Sequence, residues 1–344
     1  MSELRWSLDD TRARRAADTA ALRRRQRWLA PLLAGPAGLA STLSGRILGP
    51  GAYQARLRRV AARMNRNMAS AFDGYAPGQG DVVVSAYFKA GTNWVMAVCH
   101  QIVHRGNAEF AHIQDVIPWP DAAQPRYWID LFDRAPFASP TGMRVIKSHL
   151  PADLVPITEE ARYIGVTRNP KDCAASAWHY FRGLVLGPQM PPPDVWLDYM
   201  AGPDPVFGAW DRFTASWHAL RDRPNILFLT FEEMKRDPGA TVDRIAGFLG
   251  IALTEDERAR VLQRTGFAAM KAMNARFYPV PQTLWSEANG QIIRSGRTGD
   301  GQGLFSEAAR ARFDAAQRKG LSAMHSSFDY DGVYGPGATG EGNG

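Results

Sequence analysis

One apolar run, followed at once by a turn rich in lysine, glycine and threonine and then by a helical pattern, constrains this chain most. Asp81-Val82-Val83-Val84-Ser85-Ala86 shows no polar–apolar alternation, which is how a strand buried on both faces of a parallel sheet reads. Residues 87–94 supply the turn, and residues 95–103 read as a helix stopped at Gly106. Such a strand–turn–helix unit converges free backbone N–H groups and the positive end of a helix dipole on one point. Gly91 lets the backbone approach whatever lies there. The unit suits an anion. It lacks the G-x-x-x-x-G-K-[ST] spacing of a triphosphate loop, because Lys89 precedes Gly91 and no glycine stands five positions before it.

Three more strands are predicted. Residues 143–151 end at Pro151, residues 162–172 are a strand that hands over to a helix, and residues 225–234 are a fourth strand followed by another helix. Asn169 is a good N-cap and Pro170 a good first helical residue. Strands alternating with helices define an α/β fold, a P-loop-like parallel sheet with helices on both faces. The only two cysteines, Cys99 and Cys173, sit in apolar helical contexts and read as reduced core residues of a cytoplasmic type of protein.

The turn Tyr87-Phe88-Lys89-Ala90-Gly91-Thr92-Asn93-Trp94 resembles the Y-P-K-S-G-T-T-W loop of the sulfotransferases that use PAPS, 3'-phosphoadenosine-5'-phosphosulfate. Phe88, Ala90 and Asn93 depart from it. Four later segments continue the resemblance in order, between about residues 80 and 320. Lys147-Ser148-His149-Leu150-Pro151 is similar to K-[TS]-H-L-P, and Arg168-Asn169-Pro170-Lys171-Asp172 with Ser176 to R-N-x-K-D-x-x-x-S. Phe231-Glu232-Glu233-Met234 is similar to F-Y-E-D-M, and Arg294-Ser295-Gly296 through Gly299-Asp300 to R-K-G-x-x-G-D.

The resemblance implies in-line transfer of a sulfuryl group from PAPS to a hydroxyl, or less readily an amine, with release of the bisphosphate PAP and no metal. It implies that His149 is the general base, with Lys89 and Lys147 stabilising charge at the reacting centre. It assigns nucleotide binding to Lys89, Ala90, Gly91, Thr92, Asn93 and Trp94, to Arg168 and Ser176, to Phe231 and Phe267, and to Arg294, Ser295 and Gly296. The backbone N–H groups of residues 91–94 are expected to share this task. Trp94, Phe231 and Phe267 would contact adenine; ordinary core packing is the alternative for each, and a close alternative for Phe267. Ser295 stands where the family has lysine and Phe231 where tyrosine is common. The dimer element usual near the family's C-terminus is not matched, so the resemblance leaves the oligomeric state open.

The chain's net charge of +7 is unevenly spread. Residues 1–70 carry fourteen arginines and four acids, a net +10, and the rest is net −3. We therefore expect a basic, mainly helical extension over 1–75, a sulfotransferase domain over 76–325 and a glycine-rich, flexible tail over 326–344. Within the extension, residues 28–45 are uncharged but interrupted by Pro31, Gly35, Pro36 and Gly38, short and broken for a spanning helix. Leu57, Val60, Ala61, Met64 and Met68 recur at helical spacing among arginines, reading as a helix packed on the domain or as a surface touching anionic lipid. The second reading would make the protein peripherally membrane-associated, with a lipid-like acceptor. Residues 74–80 read as a linker and 187–193 as a mobile loop which, with 110–140 and 273–291, covers the acceptor. His100 and His104 have i, i+4 spacing but lack the adjacent glutamate of a metal-binding helix.

Two other functions stay open at this point: an ATP-dependent kinase sharing the fold, and a non-catalytic nucleotide-binding protein held to membrane or nucleic acid by its arginines. The residues favour a small-molecule acceptor and no nucleic acid.

Overall fold

The structure is a computed structural model that describes residues 7–66, 68–122, 129–277, 283–287 and 291–335. Four strands, β1 (Asp81–Ala86), β2 (Arg144–Ser148), β3 (Arg162–Thr167) and β4 (Ile226–Thr230), pair in parallel in the order β2-β1-β3-β4. Val83 lies opposite both Ile146 and Tyr163. The helices, in chain order, are α1 (Leu8–Leu48), α2 (Pro50–Asn65), α3 (Thr92–Val103), α4 (Pro170–Phe181), α5 (Pro193–Met200), α6 (Trp210–His218) and α7 (Phe231–Arg236). They continue with α8 (Pro238–Leu249), α9 (Glu255–Thr265), α10 (Phe267–Ala272), α11 (Asp300–Leu304), α12 (Glu307–Ala323) and α13 (Tyr330–Tyr334).

Both faces of the sheet are covered, as the unbroken apolar run of β1 requires. Val82, Val84 and Ala86 join the core beneath α3, α8 and α9, while Val83 packs with Tyr163, Phe213 and Trp217 on the opposite side. Gly165 is needed in β3, because a Cβ there would meet the Trp217 ring at 3.0 Å. The chain leaves β1 for β2 on one side, then crosses back to β3 on the other. The carboxyl ends of β1 and β3 therefore flank a switch point, the place where open α/β sheets bind ligands.

Four regions differ from expectation. Residues 28–45 do not break: Pro31 and Pro36 lie inside the single 41-residue helix α1. A proline inside a helix costs about 3 kcal/mol, and here tertiary contacts on either side offset it. Gln26 donates to the Ser286 carbonyl at 2.7 Å, and Arg56 donates to Ser41 Oγ at 3.0 Å and to the Gln189 carbonyl at 3.2 Å. Residues 74–80 are tied down at the edge of the sheet. Buried Asp81 accepts from Gly78 N (3.0 Å), Arg144 Nε (2.9 Å), Arg134 Nη1 (2.8 Å) and the Tyr75 hydroxyl.

Residues 187–193 form a 3-10 turn at Gly187–Gln189 and lead into α5, which begins at Pro193. The tail expected from residue 326 instead packs as far as 335, with Phe328, Tyr330 and Tyr334 buried around Trp210. Helix α2 buries Leu57, Ala61 and Met64 in a third cluster with Phe88, α4 and α5, and turns Arg58, Arg59, Arg63 and Arg66 to solvent. That is the packed-helix arrangement of its apolar spacing.

Candidate active site

Gly91 adopts φ 86°, a left-handed conformation, and caps the start of α3. A Cβ there would meet the Phe231 ring at 2.7 Å, so the loop and the ring are flush. The Ala90 N–H donates to the Tyr87 carbonyl at 2.8 Å, and the Trp94 N–H to the Gly91 carbonyl at 2.9 Å. Among the described residues the N–H groups of Gly91, Thr92 and Asn93 have no acceptor. The anion cradle is therefore three donors, not the four expected from 91–94. Ala90 is a second correction. Its side chain is buried in the core and its N–H is used internally, so it closes the turn and does not line the cavity.

All the other candidates line one cavity of about 310 Å³: Lys89, Gly91, Thr92, Asn93, Trp94, Lys147, His149, Arg168, Ser176, Phe231, Phe267, Arg294, Ser295 and Gly296. They come from six separate segments, brought together by the crossover at β1 and β3.

His149 follows β2 and is buried. Its Nδ1 lies 2.7 Å from the Ala86 carbonyl, which can only accept, so Nδ1 carries the proton and the Nε2 lone pair is available. Its backbone N–H donates to Asp121 at 2.7 Å. The ring is packed against Trp119, Phe88 and Phe207. Burial, and then the cations of Lys147 and Lys89, hold its pKa well below the ordinary imidazole value. The neutral form is therefore the resident one.

Lys89 adopts φ 68°, strained for a side chain other than glycine. Its Nζ stands 4.8 Å from the Tyr180 ring centre. Burial, followed by the charges of Arg168 and Arg294, lowers its pKa to about 8. Lys147 Nζ lies 3.4 Å from the Trp119 ring centre, and burial lowers its pKa while nearby Asp121 opposes the shift.

Arg168 is buried against the Phe231 face at 4.5 Å and donates to the Lys89 carbonyl at 3.3 Å and the Arg297 carbonyl at 2.7 Å. Arg294 pairs with Asp300, whose carboxylate also accepts from Ser295 Oγ at 2.9 Å. Gly296 at φ 59° is flush against Phe267, where a Cβ would meet the ring at 2.7 Å. Phe267 is 46% exposed, so it is not core. Trp94 and Phe231 meet edge to face at 5.7 Å.

Three residues escaped the sequence reading as site components. Asp172 accepts from Gly299 N at 2.8 Å and Gly301 N at 2.9 Å and contacts Arg168 at 3.4 Å, fastening the C-terminal loop to α4. Asp300 holds Arg294. Both close motifs that the sequence displayed, which is the signal that could have found them. Asp121 lay among scattered loop acids, and nothing in its neighbours marked it.

The cavity suits a phosphorylated nucleotide. Among the described residues the buried Thr92 hydroxyl and Arg168 Nε have no hydrogen-bond partner, and buried polar groups rarely stay unpaired. With three free N–H groups, they form an anion site awaiting acceptors. His100 and His104 lie outside it, with ring centres 4.5 Å apart. Among the described residues no group of three metal-ligating side chains forms.

The model of the family described as "Sulfotransferase domain" matches residues 79–327. Rat Sulfotransferase 1C2 is 28% identical over 262 residues, covering 72% of this chain and 85% of the relative. Human Sulfotransferase 2B1 is 31% identical over 251 residues, covering 71% and 67%. The crystal structure of mouse sulfotransferase SULT7A1 complexed with PAP superposes with a TM-score of 0.57 at 25% identity, over 74% of this chain and 89% of that one. A retinol dehydratase crystallised with retinol and PAP shares the fold, with a TM-score of 0.62 at 19% identity over 78% and 87%. The fold and the site define a nucleotide-dependent group transferase, and the chain belongs to the PAPS-dependent sulfotransferase family. Its reaction is sulfuryl transfer from PAPS, which decides against the ATP-dependent kinase.

Proposed function

We propose that His149 Nε2 takes the proton from the hydroxyl of a small, largely apolar acceptor. The observation that carries this is the 2.7 Å Nδ1–Ala86 contact, which leaves Nε2 as an unprotonated base amid aromatic side chains. A base of this kind contributes typically 10²–10⁴-fold, roughly, to rate. PAPS, when bound, supplies the sulfuryl group, and PAP is what remains. Lys89 and Lys147 offer positive charge next to the base, and Gly91, Thr92 and Asn93 offer donors fixed in advance, so little reorganisation is needed. Arg168, Arg294, Ser176, Ser295 and Gly296 form the cradle for the 3'-phosphate, with arginine forks suited to two phosphate oxygens. Trp94, Phe231 and Phe267 form the base-contacting wall.

The acceptor side is lined by Phe88, Trp119, Tyr180, Met96, Ile113 and Ile117, which favours a flat or extended apolar body carrying one hydroxyl. A lipid-like alcohol belongs to that class, and the arginine-rich extension suits an acceptor that resides in a membrane.

The test is transfer from [35S]PAPS to a panel of hydroxyl compounds graded in apolar surface, with amines and polar sugars as controls. Labelled product that rises with apolar surface is expected. Label confined to sugars or amines would overturn the acceptor reading.

A further inference from the structure

Helix α1 is turned the opposite way from an ordinary surface helix. Past Arg27 its inward side is Ala30, Ala34, Gly38 and Ser41, with Gly38 close enough to Pro188 that a Cβ would touch it at 3.4 Å. Its large apolar side chains point to solvent. Trp28, Leu32, Leu39, Leu43 and Ile47 are spaced by four, seven, four and four residues and so share one helical face. They are 70%, 71%, 61%, 43% and 77% exposed. Scattered exposed leucines need no explanation, but a continuous ridge of this kind marks a surface that something covers.

The charge around the ridge says what covers it. Between Asp18 and Asp73 the chain has ten arginines and no acidic residue. Arg24, Arg25 and Arg27 stand at one end of the ridge and Arg46 at the other, all exposed, and α2 adds its own exposed arginines alongside. A second copy of this chain would bring the same cations face to face. An apolar ridge with arginines at both ends and no acidic residue along its own stretch of chain complements a bilayer with anionic headgroups.

We propose that the solvent face of α1 is a membrane-docking surface that lies in the headgroup plane of an anionic bilayer. It docks and does not span: no described helix is long and apolar enough to cross a membrane, and the opposite side of α1 is fastened to the domain. The fastening points matter. Arg15 pairs with Asp115, whose neighbours Ile113 and Gln114 line the cavity, and Gln26 and Arg23 hold Ser286. The docked helix therefore borders the acceptor side of the site and holds it against the bilayer.

The experiment is co-sedimentation of the full chain with phosphatidylcholine vesicles, with and without phosphatidylglycerol, at low and high salt. The wild type is expected to bind the anionic vesicles, less at high salt and much less without phosphatidylglycerol. Leu32→Glu with Leu39→Glu and Leu43→Glu should cut the bound fraction roughly tenfold or more, and Arg24→Ser with Arg25→Ser and Arg27→Ser should remove the salt-sensitive part. Thermal unfolding and PAP binding report folding for both variants and should match the wild type. Neither set of residues touches the site, so transfer to a water-soluble alcohol should persist. Its loss in the wild type would count against the acceptor reading and not against docking. Failure of the wild type to bind anionic vesicles, unchanged binding by the leucine variant, or a dimer in solution that the leucine variant dissolves would each overturn the proposal.

Discussion

The His149 Nδ1–H donates to the Ala86 carbonyl at 2.7 Å, between the carboxyl ends of the neighbouring strands β2 and β1. The last residue of the central strand thus sets the tautomer of a histidine 63 positions later. His149→Ala should lower turnover by about 10²–10⁴-fold while leaving PAP affinity nearly unchanged, checked by initial rates beside calorimetric titration with PAP. Near-normal turnover would remove His149 as the base.

The depressed pKa of His149 has a consequence for rate. A base already neutral in the folded protein stays usable as the pH drops past 6.5, the ordinary histidine value. kcat/KM should therefore hold level between pH 7 and 6, where an ordinary histidine would lose most of its basic form.

Stability should respond in the opposite sense. His100, His104, His149, His179 and His218 all have pKa values lowered first by burial, His100 to about 3. Below pH 6.5 the unfolded chain binds protons at these positions that the folded chain refuses. The stabilisation is fully present above 6.5 and is lost as pH falls toward the folded values. Burial also raises the Asp121 pKa, to about 6, which works in the opposite direction, so the histidine effect is read as the difference between the wild type and His100→Gln. The wild-type denaturant midpoint should fall more between pH 7.5 and 5, and parallel profiles would count against neutral burial of His100.

Lys89, with its pKa lowered to about 8, should take up a proton when a polyanion arrives. PAP titrations at pH 8.5 in buffers of different ionisation enthalpy should show proton uptake that Lys89→Met reduces. Uptake that the variant leaves unchanged would assign the proton elsewhere.

Gly91→Ala adds a Cβ at φ 86° and 2.7 Å from the Phe231 ring. It should cost about 1–3 kcal/mol of stability and weaken PAP binding. Asp172→Ala frees the Gly299 and Gly301 N–H groups and unpairs Arg168. Loss of one partner in a buried ion pair costs about 3–5 kcal/mol, and PAP affinity should fall with it while the far-UV spectrum is kept.

The fold was largely legible because its signals are local. Asp81–Ala86 shows no alternation since both faces of β1 are covered, and the Asn169–Pro170 cap marks the start of α4 from the side chains alone. Fourteen of the fifteen site positions read from motifs converge on one cavity. Ala90 does not, because whether a backbone N–H is free depends on how tightly the turn closes, and side-chain type does not report that. The same limit explains Trp94, whose N–H is used by its own turn.

By itself, then, the sequence determined the strands, the order of the motifs and the chemistry of the groups they carry, all of which follow from neighbours close along the chain. Only the tertiary structure decided which nitrogen of His149 is the base, that Asp172 fastens the Gly299–Gly301 loop to α4, and that α1 runs unbroken through Pro31 and Pro36. It also decided that the apolar side of α1 faces out. Each of these depends on contacts between segments tens to hundreds of residues apart, whose free energy exceeds local preference and leaves no mark in the local pattern.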